Sequence, residues 1–462
     1  MTVNRRVFNK ILIQIFFLMI IIGVYQFSNH YTDTVLFRIL AAFSLTSFIL
    51  FVILNASGVM TAQWFTVLFL YLYNCGQVWL HLFGVPFSKS SFLITQYSYS
   101  EIHRSIFFFL VAINIFQIFI NFFYKDDLYG ELQWRNTIED CSELKSTLVV
   151  FSVFAFVLVT YNDVISIISA RTLGYVASYT MGRDNPIIYM MIYLYPLLTV
   201  LWQMIGTPTQ KKVIMIYSVL RCLTMMLLVG NRGQYIALLI LLFLLQHKER
   251  EGHERRSFKQ LLAIIILGVI LLVIAGYVSN TRNIISGQMS VKEYLLKGNI
   301  FFSMLQELGS TFINTILVVN LCPDSLHFAF GKSYIAGLVQ LIPKASSVFS
   351  SIGRYGNLGS VLNGFFSKGS GLGGSYIAEL YYNFSWFSVL VIPFFSWILV
   401  KLDGFTNNTE ISILKKAIAY YYIYATFMFV RGEFSDFAVY TRYLFYFLVV
   451  YWVLRSFRRR NS

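Results

Sequence analysis

Arginines and carboxylates gather at the ends of apolar segments in this chain. Arg431-Gly432-Glu433 fills a short turn between two such segments, with Asp436 and Arg442 just beyond it. Gly230-Asn231-Arg232-Gly233 fills another turn, Arg282 stands just past the end of a clean apolar run, and Arg221 falls inside one. Glu379 opens the apolar segment that follows a long connection. Guanidinium groups bind phosphate oxygens through paired N–H bonds and keep their charge in a dry site. Several of them at one boundary therefore suit a diphosphate better than a neutral solute. A carboxylate whose proton affinity is raised by burial can take a proton from a hydroxyl. Glu379 is the first candidate for that task and Glu433 the second. The competing account is structural: the arginines snorkel towards the membrane surface, and Arg431 and Glu433 neutralise each other.

The elements that must hold these residues are apolar and long. Hydrophobic residues make up 57% of the 462 positions and charged ones only 12%, which excludes an ordinary soluble domain. A bilayer core needs about 20 mostly apolar residues per helix. Runs of that kind are predicted at 11–27, 36–54, 60–82, 105–124, 147–170, 187–206, 213–229, 233–246, 261–279, 384–401, 415–430 and 439–455. The fold class expected is an all-α polytopic membrane protein with about twelve transmembrane helices. The pair at 213–246, with Arg221 in the first run, has a re-entrant hairpin as its alternative.

A net charge of +15 would suggest nucleic acid in a soluble protein, but here it follows the positive-inside rule. Arg5, Arg6 and Lys10 precede the first run, Lys211-Lys212, 248–259 and Lys415-Lys416 fall in loops of the same parity, and Arg455 to Arg460 ends the chain. Both termini are expected to be cytoplasmic. The first run has no small-residue cleavage site after it and reads as a retained helix rather than a signal peptide.

The expected layout is one integral membrane domain over 1–462, interrupted by an external connection at 280–383. Structureless connections of that length are uncommon without a function. Two stretches in it, 312–319 and 333–342, are apolar enough to lie on the membrane surface or against the helical bundle. Its second half, 346–375, contains Arg354, is rich in Gly and Ser, and is expected to be mobile. The whole connection is expected to cap the bundle and line a cavity. Gly369-Ser370-Gly371-Leu372-Gly373-Gly374 matches the dinucleotide fingerprint in letters only, because no strand precedes it. It reads instead as a linker or a close-approach turn. Cys75, Cys141, Cys222 and Cys322 lack metal-site spacing, and the six histidines are scattered, so no metal and no cofactor are expected.

Four sequence stretches carry a resemblance. They are Gly230-Asn231-Arg232-Gly233, the run Phe330-Gly331-Lys332-Ser333-Tyr334 with Ile342-Pro343-Lys344, the run Gly374-Ser375-Tyr376-Ile377-Ala378-Glu379-Leu380-Tyr381-Tyr382-Asn383-Phe384, and Arg431-Gly432 before the last helix. In order, spacing and topology they resemble the oligosaccharide repeat-unit polymerases of the O-antigen polymerase (Wzy) family. The layout is similar over nearly the whole chain, and the motifs lie mainly in its second half.

The resemblance implies a GT-C-type architecture and a glycosyltransferase of the bacterial inner membrane working at its periplasmic face. Donor and acceptor would both be glycans on undecaprenyl diphosphate, with a chain-length regulator and a flippase of the same pathway as partners. Nucleic acid would play no part. Glu379 and Glu433 would be the catalytic carboxylates. Arg232, Arg282, Arg431, Arg442, Arg221, Arg354 and Tyr376 would bind diphosphate or substrate. Three rival functions share features of this layout. A flippase or other transporter should show a repeat relating its halves, and none is visible. The O-antigen ligase shares the architecture more closely, and an in-membrane O-acyltransferase would need a buried histidine.

Overall fold

The structure, a computed structural model, describes residues 5–55, 61–83, 97–124, 138–173, 185–231, 233–250, 305–343, 345, 349–366, 372–408 and 411–461. Regular structure among them is helical throughout. The helices are α1 (Arg5–Gln26), α2 (Asp33–Leu54), α3 (Ala62–Leu82), α4 (Tyr99–Phe123), α5 (Ile138–Thr172), α6 (Pro186–Ile205), α7 (Pro208–Leu228), α8 (Gly233–Arg250), α9 (Phe312–Leu321), α10 (Lys332–Val339), α11 (Leu358–Phe366), α12 (Tyr376–Phe384), α13 (Ser388–Asn407), α14 (Ile413–Phe429) and α15 (Phe434–Asn461). A helix lies over each predicted apolar run except 261–279, which falls outside the described residues.

Local chemistry explains where several of these helices begin. Ser98 and Glu101 form a reciprocal capping box at α4, and Thr207 and Gln210 form another at α7. Asn185 caps α6 ahead of Pro186, whose fixed φ suits a first helical position. Each cap supplies acceptors to N–H groups that the helix itself cannot satisfy.

Seven stretches among the described residues are long and apolar enough to cross a membrane: Arg5–Gln26, Asp33–Leu54, Tyr99–Phe123, Leu144–Thr172, Pro186–Ile205, Tyr376–Asn407 and Phe434–Phe457. Helices α3, α7, α8 and α14 are not among them. Helix α3 carries buried Gln63, Asn74 and Gln77, and α7 carries Lys211, Lys212 and Arg221. The apolar part of α8, Gly233–His247, and the 17-residue α14 are shorter.

The chain divides into two compact units. The first comprises Met1–Asp126, Phe301–Asp403 and Phe429–Phe437, and the second Asp127–Ile300, Gly404–Met428 and Ala438–Ser462.

In the first unit α4 packs on α1 and α2, and α2 on α3. A buried polar chain ties these helices. Gln14 Nε2 donates to Gln117 Oε1 (3.3 Å), Gln117 Nε2 to the Tyr71 hydroxyl (2.6 Å), and Ser47 Oγ to Asn114 Oδ1 (3.1 Å), while Ser47 and Tyr71 share a hydroxyl bond of 2.7 Å. In lipid, where the hydrophobic effect between helices is absent, such bonds and close packing hold a bundle together.

Helix α9 packs against α3, α4 and α12, so the apolar stretch 312–319 is spent on the bundle. Helix α10 buries Ser333, Ala336 and Gly337 and leaves Ile335 and Leu338 exposed. Parts of the stretch predicted to be mobile are also helical, at Ser350–Gly353 and in α11.

The second unit stacks α5 on α6, α6 on α7 and α7 on α8. Tyrosine hydroxyls do much of the tying. Tyr421 donates to the Tyr193 (3.1 Å) and Tyr440 (3.2 Å) carbonyls, and Tyr424 to the Gln234 carbonyl (3.2 Å).

Candidate functional site

Glu379 sits in the first turn of α12, a nine-residue helix capped by Ser375 and separated from α13 by a break at Ser385. Ser385 has φ 51 and ψ −134, a conformation that no helix continues through. The run predicted to enter the membrane at 384 is thus preceded by a short helix of its own, and that helix carries the carboxylate.

The side chain of Glu379 is 2% exposed and fully engaged. Ser333 Oγ, from α10, donates to Oε1 at 2.6 Å, and the backbone N–H of Phe434, the first residue of α15, donates to Oε2 at 2.8 Å. Asn383, one turn further along α12, donates through Nδ2 to Ser333 Oγ (2.7 Å) and to the Glu379 carbonyl (2.8 Å). Tyr334 and Tyr376 flank the cluster. Tyr334 stacks on Phe384 and meets Phe434 edge-on, and Tyr376 meets Phe395 and Phe429 edge-on. The Tyr334 and Tyr376 hydroxyls and Asn383 Oδ1 are buried without a hydrogen-bond partner among the described residues.

The turn between α14 and α15 lies in the same unit as this cluster. Glu433, 5% exposed, accepts the Gly359 N–H at Oε1 (2.7 Å). Burial pushes its carboxyl up to about 8, with the charges of Glu379 and Asp436 adding to the rise and the Gly359 and Leu358 N–H groups opposing it. The glycine-rich stretch before α12 runs against this turn. A Cβ on Gly374 would stand 2.5 Å from Glu433 Cγ and 2.6 Å from the Gly432 carbonyl carbon. Asn314 of α9 holds the stretch in place by donating to the Gly373 (2.5 Å) and Gly374 (3.3 Å) carbonyls. The described part of the dinucleotide-like motif is therefore a close-approach turn.

Arg431 is half-buried, and its guanidinium carbon lies 5.6 Å from the centre of the Tyr73 ring. No ion pair joins it to Glu433 or to any other carboxylate among the described residues. The mutual neutralisation that competes with a binding role is absent there. A guanidinium held by a ring face keeps its N–H fork available to an anion.

The other predicted binding residues fall elsewhere. Arg354 is exposed on the short turn Arg354–Gly356 of the first unit. Arg442 belongs to the second unit, where it donates to the Tyr443 hydroxyl at 3.0 Å. Arg232 and Arg282 lie outside the described residues.

Arg221, also in the second unit, is paired with Asp163 of α5. Nε donates to Oδ2 at 2.5 Å and Nη2 to Oδ1 at 3.1 Å, with the Tyr195 and Tyr235 rings alongside. Breaking a buried pair strands a charge at a cost of about 3–5 kcal/mol, whereas removing both members is often nearly neutral. Arg221→Leu should therefore lower the thermal midpoint in detergent, and Arg221→Leu combined with Asp163→Leu should recover most of the loss. A double variant that melts as low as the single one would contradict the pairing.

Sequence reading missed Ser333, Asn383, Asp163, Tyr73 and Asn314 as members of these constellations. Two signals were present. Asn383 lies four residues after Glu379 and so shares its helix face, and Asp163 is a charge inside an apolar run by the same criterion that singled out Arg221.

Residues 10–461 match the profile of a family described as O-antigen polysaccharide polymerase Wzy. No curated protein and no solved structure matches the chain.

Proposed function

The chain belongs to the O-antigen polysaccharide polymerase Wzy family, and from that premise we propose that it joins undecaprenyl-diphosphate-linked repeat units into a polymer at the periplasmic face. It is a multi-pass helical protein of the bacterial inner membrane, with a polymerase role and lipid-linked glycan substrates. One observation above the others supports the proposed chemistry. Arg431 is a half-buried guanidinium with no carboxylate partner among the described residues, two positions before the buried carboxyl of Glu433.

The reaction assigns a task to each. An acceptor-sugar hydroxyl attacks the anomeric carbon of the donor glycan, the bond from that carbon to the diphosphate oxygen breaks, and the lipid diphosphate leaves with the bonding electrons. Arg431 offsets the charge that grows on the leaving oxygen, electrostatic work that is commonly the largest contribution to catalysis. Glu433 accepts the hydroxyl proton. The sequence ranks Glu379 ahead of Glu433 for that step. The hydrogen bonds favour the opposite order, because both Glu379 oxygens already hold protein donors.

The proposal includes a twelve-span topology, the 280–383 connection as a periplasmic element, diphosphate binding by Arg232 and Arg282, and partnership with a chain-length regulator and a flippase.

Deleting the gene and examining the surface glycan tests the function. Single-repeat caps on the lipid A core are expected. Absence of all repeat glycan from the core would instead point to a ligase or flippase and overturn the proposal. Orientation has its own test. In a variant lacking the four native cysteines, a cysteine at Ser350 should react with an impermeant reagent in intact spheroplasts, and one at Ser462 should not. Equal labelling of the two would refute the topology.

A further inference from the structure

Glu379 joins three elements that are distant in sequence. Its carboxylate takes one hydrogen bond from α10, through Ser333, and one from the first backbone N–H of α15, and it stands on α12 itself. Phe434, which supplies that N–H, directly follows Glu433, and Arg431 lies two residues before Glu433. Holding the Phe434 peptide therefore fixes the end of the turn on which both proposed reacting groups sit. Asn383 completes the arrangement by donating to the same Ser333 oxygen, so Ser333 is oriented with its proton towards Glu379. The buried carboxyl has a donor on each oxygen, so neither polar atom is left unsatisfied by burial.

We infer that Ser333, Asn383 and Glu379 form a positioning device that clamps the Arg431–Glu433 turn and sets a second buried carboxyl beside Glu433. The inference rests on the proposed roles of Arg431 and Glu433. Glu379 is then a positioning residue, and the proton moves at Glu433. The charged groups facing Glu433 are Glu379 from α12 and Asp436 from the first turn of α15, with Arg431 on its own turn. The N–H groups of Leu358 and Gly359 face it from the start of α11. Removing the charge at Glu379 removes one of two repulsive neighbours, so Glu433 should ionise at lower pH.

The test uses the full-length protein in vesicles, with lipid-linked single repeat extracted from membranes of the deletion strain as substrate. Polymer formation is followed from pH 6 to 9 in wild type, Glu379→Gln, Ser333→Ala, Ser333→Thr and Glu433→Gln. A glutamine at 379 can still accept the Phe434 N–H through its oxygen and donate to Ser333 through its nitrogen, so the clamp is preserved in shape. Glu379→Gln should keep measurable turnover, with the acid limb of its pH profile moved to lower pH. Ser333→Ala should lower kcat about ten-fold, as roughly the loss of one charge-assisted hydrogen bond would give, with KM little changed, and Ser333→Thr should restore most of the rate.

A well-folded Glu379→Gln that is inactive at every pH would make Glu379 the proton acceptor and overturn the inference while leaving the polymerase assignment standing. A fully active Glu379→Gln with an unmoved profile would overturn it as well. If Glu379→Gln fails to fold, the Ser333 pair decides: equal rates for Ser333→Ala and wild type refute the clamp. Failure of the underlying reading shows differently, as full activity in Glu433→Gln.

Discussion

Arg431→Ala should reduce polymer formation by about 100- to 1000-fold, the range typical for removing one preorganised donor from a developing negative charge. Protein level and lipid-linked single repeat should be unaffected, because the half-buried Arg431 pairs with no carboxylate among the described residues. The substitution strands no buried counter-charge there, so its effect should fall on turnover and not on folding. Arg431→Lys should also be strongly impaired. An ammonium is a point donor that cannot reproduce a planar fork lying over the Tyr73 ring. Reconstituted polymerisation, read as chain-length ladders on gels, measures both variants. Full-length polymer from Arg431→Ala at normal expression would return this arginine to a structural role.

Glu433→Gln should be comparably severe. General base assistance contributes about 100- to 10,000-fold, and glutamine keeps the shape and the acceptor for the Gly359 N–H while losing the capacity to take a proton. The wild-type profile carries the sign. A proton acceptor must be ionised, and burial places the Glu433 carboxyl at about 8, so rate should climb as pH rises through neutrality and level off above about 8. The Glu433→Gln variant should show a flat, low rate across the same interval. Normal polymerisation by this variant would remove Glu433 from the chemistry.

The helices were legible because bilayer-length apolar runs carry their own signal, and the caps at Ser98, Asn185 and Thr207 sharpen several starting points. Short helices were not. Helices α9, α10 and α11 run for eight to ten residues, below the length at which a window separates helix from connection. The break at Ser385 was also hidden, since a positive φ at serine follows from packing and not from propensity.

At the site, residue types were readable and partnerships were not. Glu379 and Glu433 could be singled out as carboxylates beside apolar runs. The bonds that distinguish their roles, however, join Glu379 to Ser333 across 46 positions and to Phe434 across 55. Local periodicity contains nothing about such separations. Arg221 shows the same gap from the other side: its cost in an apolar helix was apparent, and its counter-ion 58 positions earlier was not paired with it.

That separation sets an order of events during synthesis. Ribosomes add about 5–20 residues per second, so Asp163 is made roughly 3–12 s before Arg221. Through that interval the Asp163 carboxyl of α5 has no guanidinium to meet it. Alone, each helix carries a charge that is expensive in hydrocarbon; together they present a bidentate, internally neutral pair. Pairing α5 with α7 therefore relieves both helices of that cost in one step, which can come only after α6, between them in the chain, has been made.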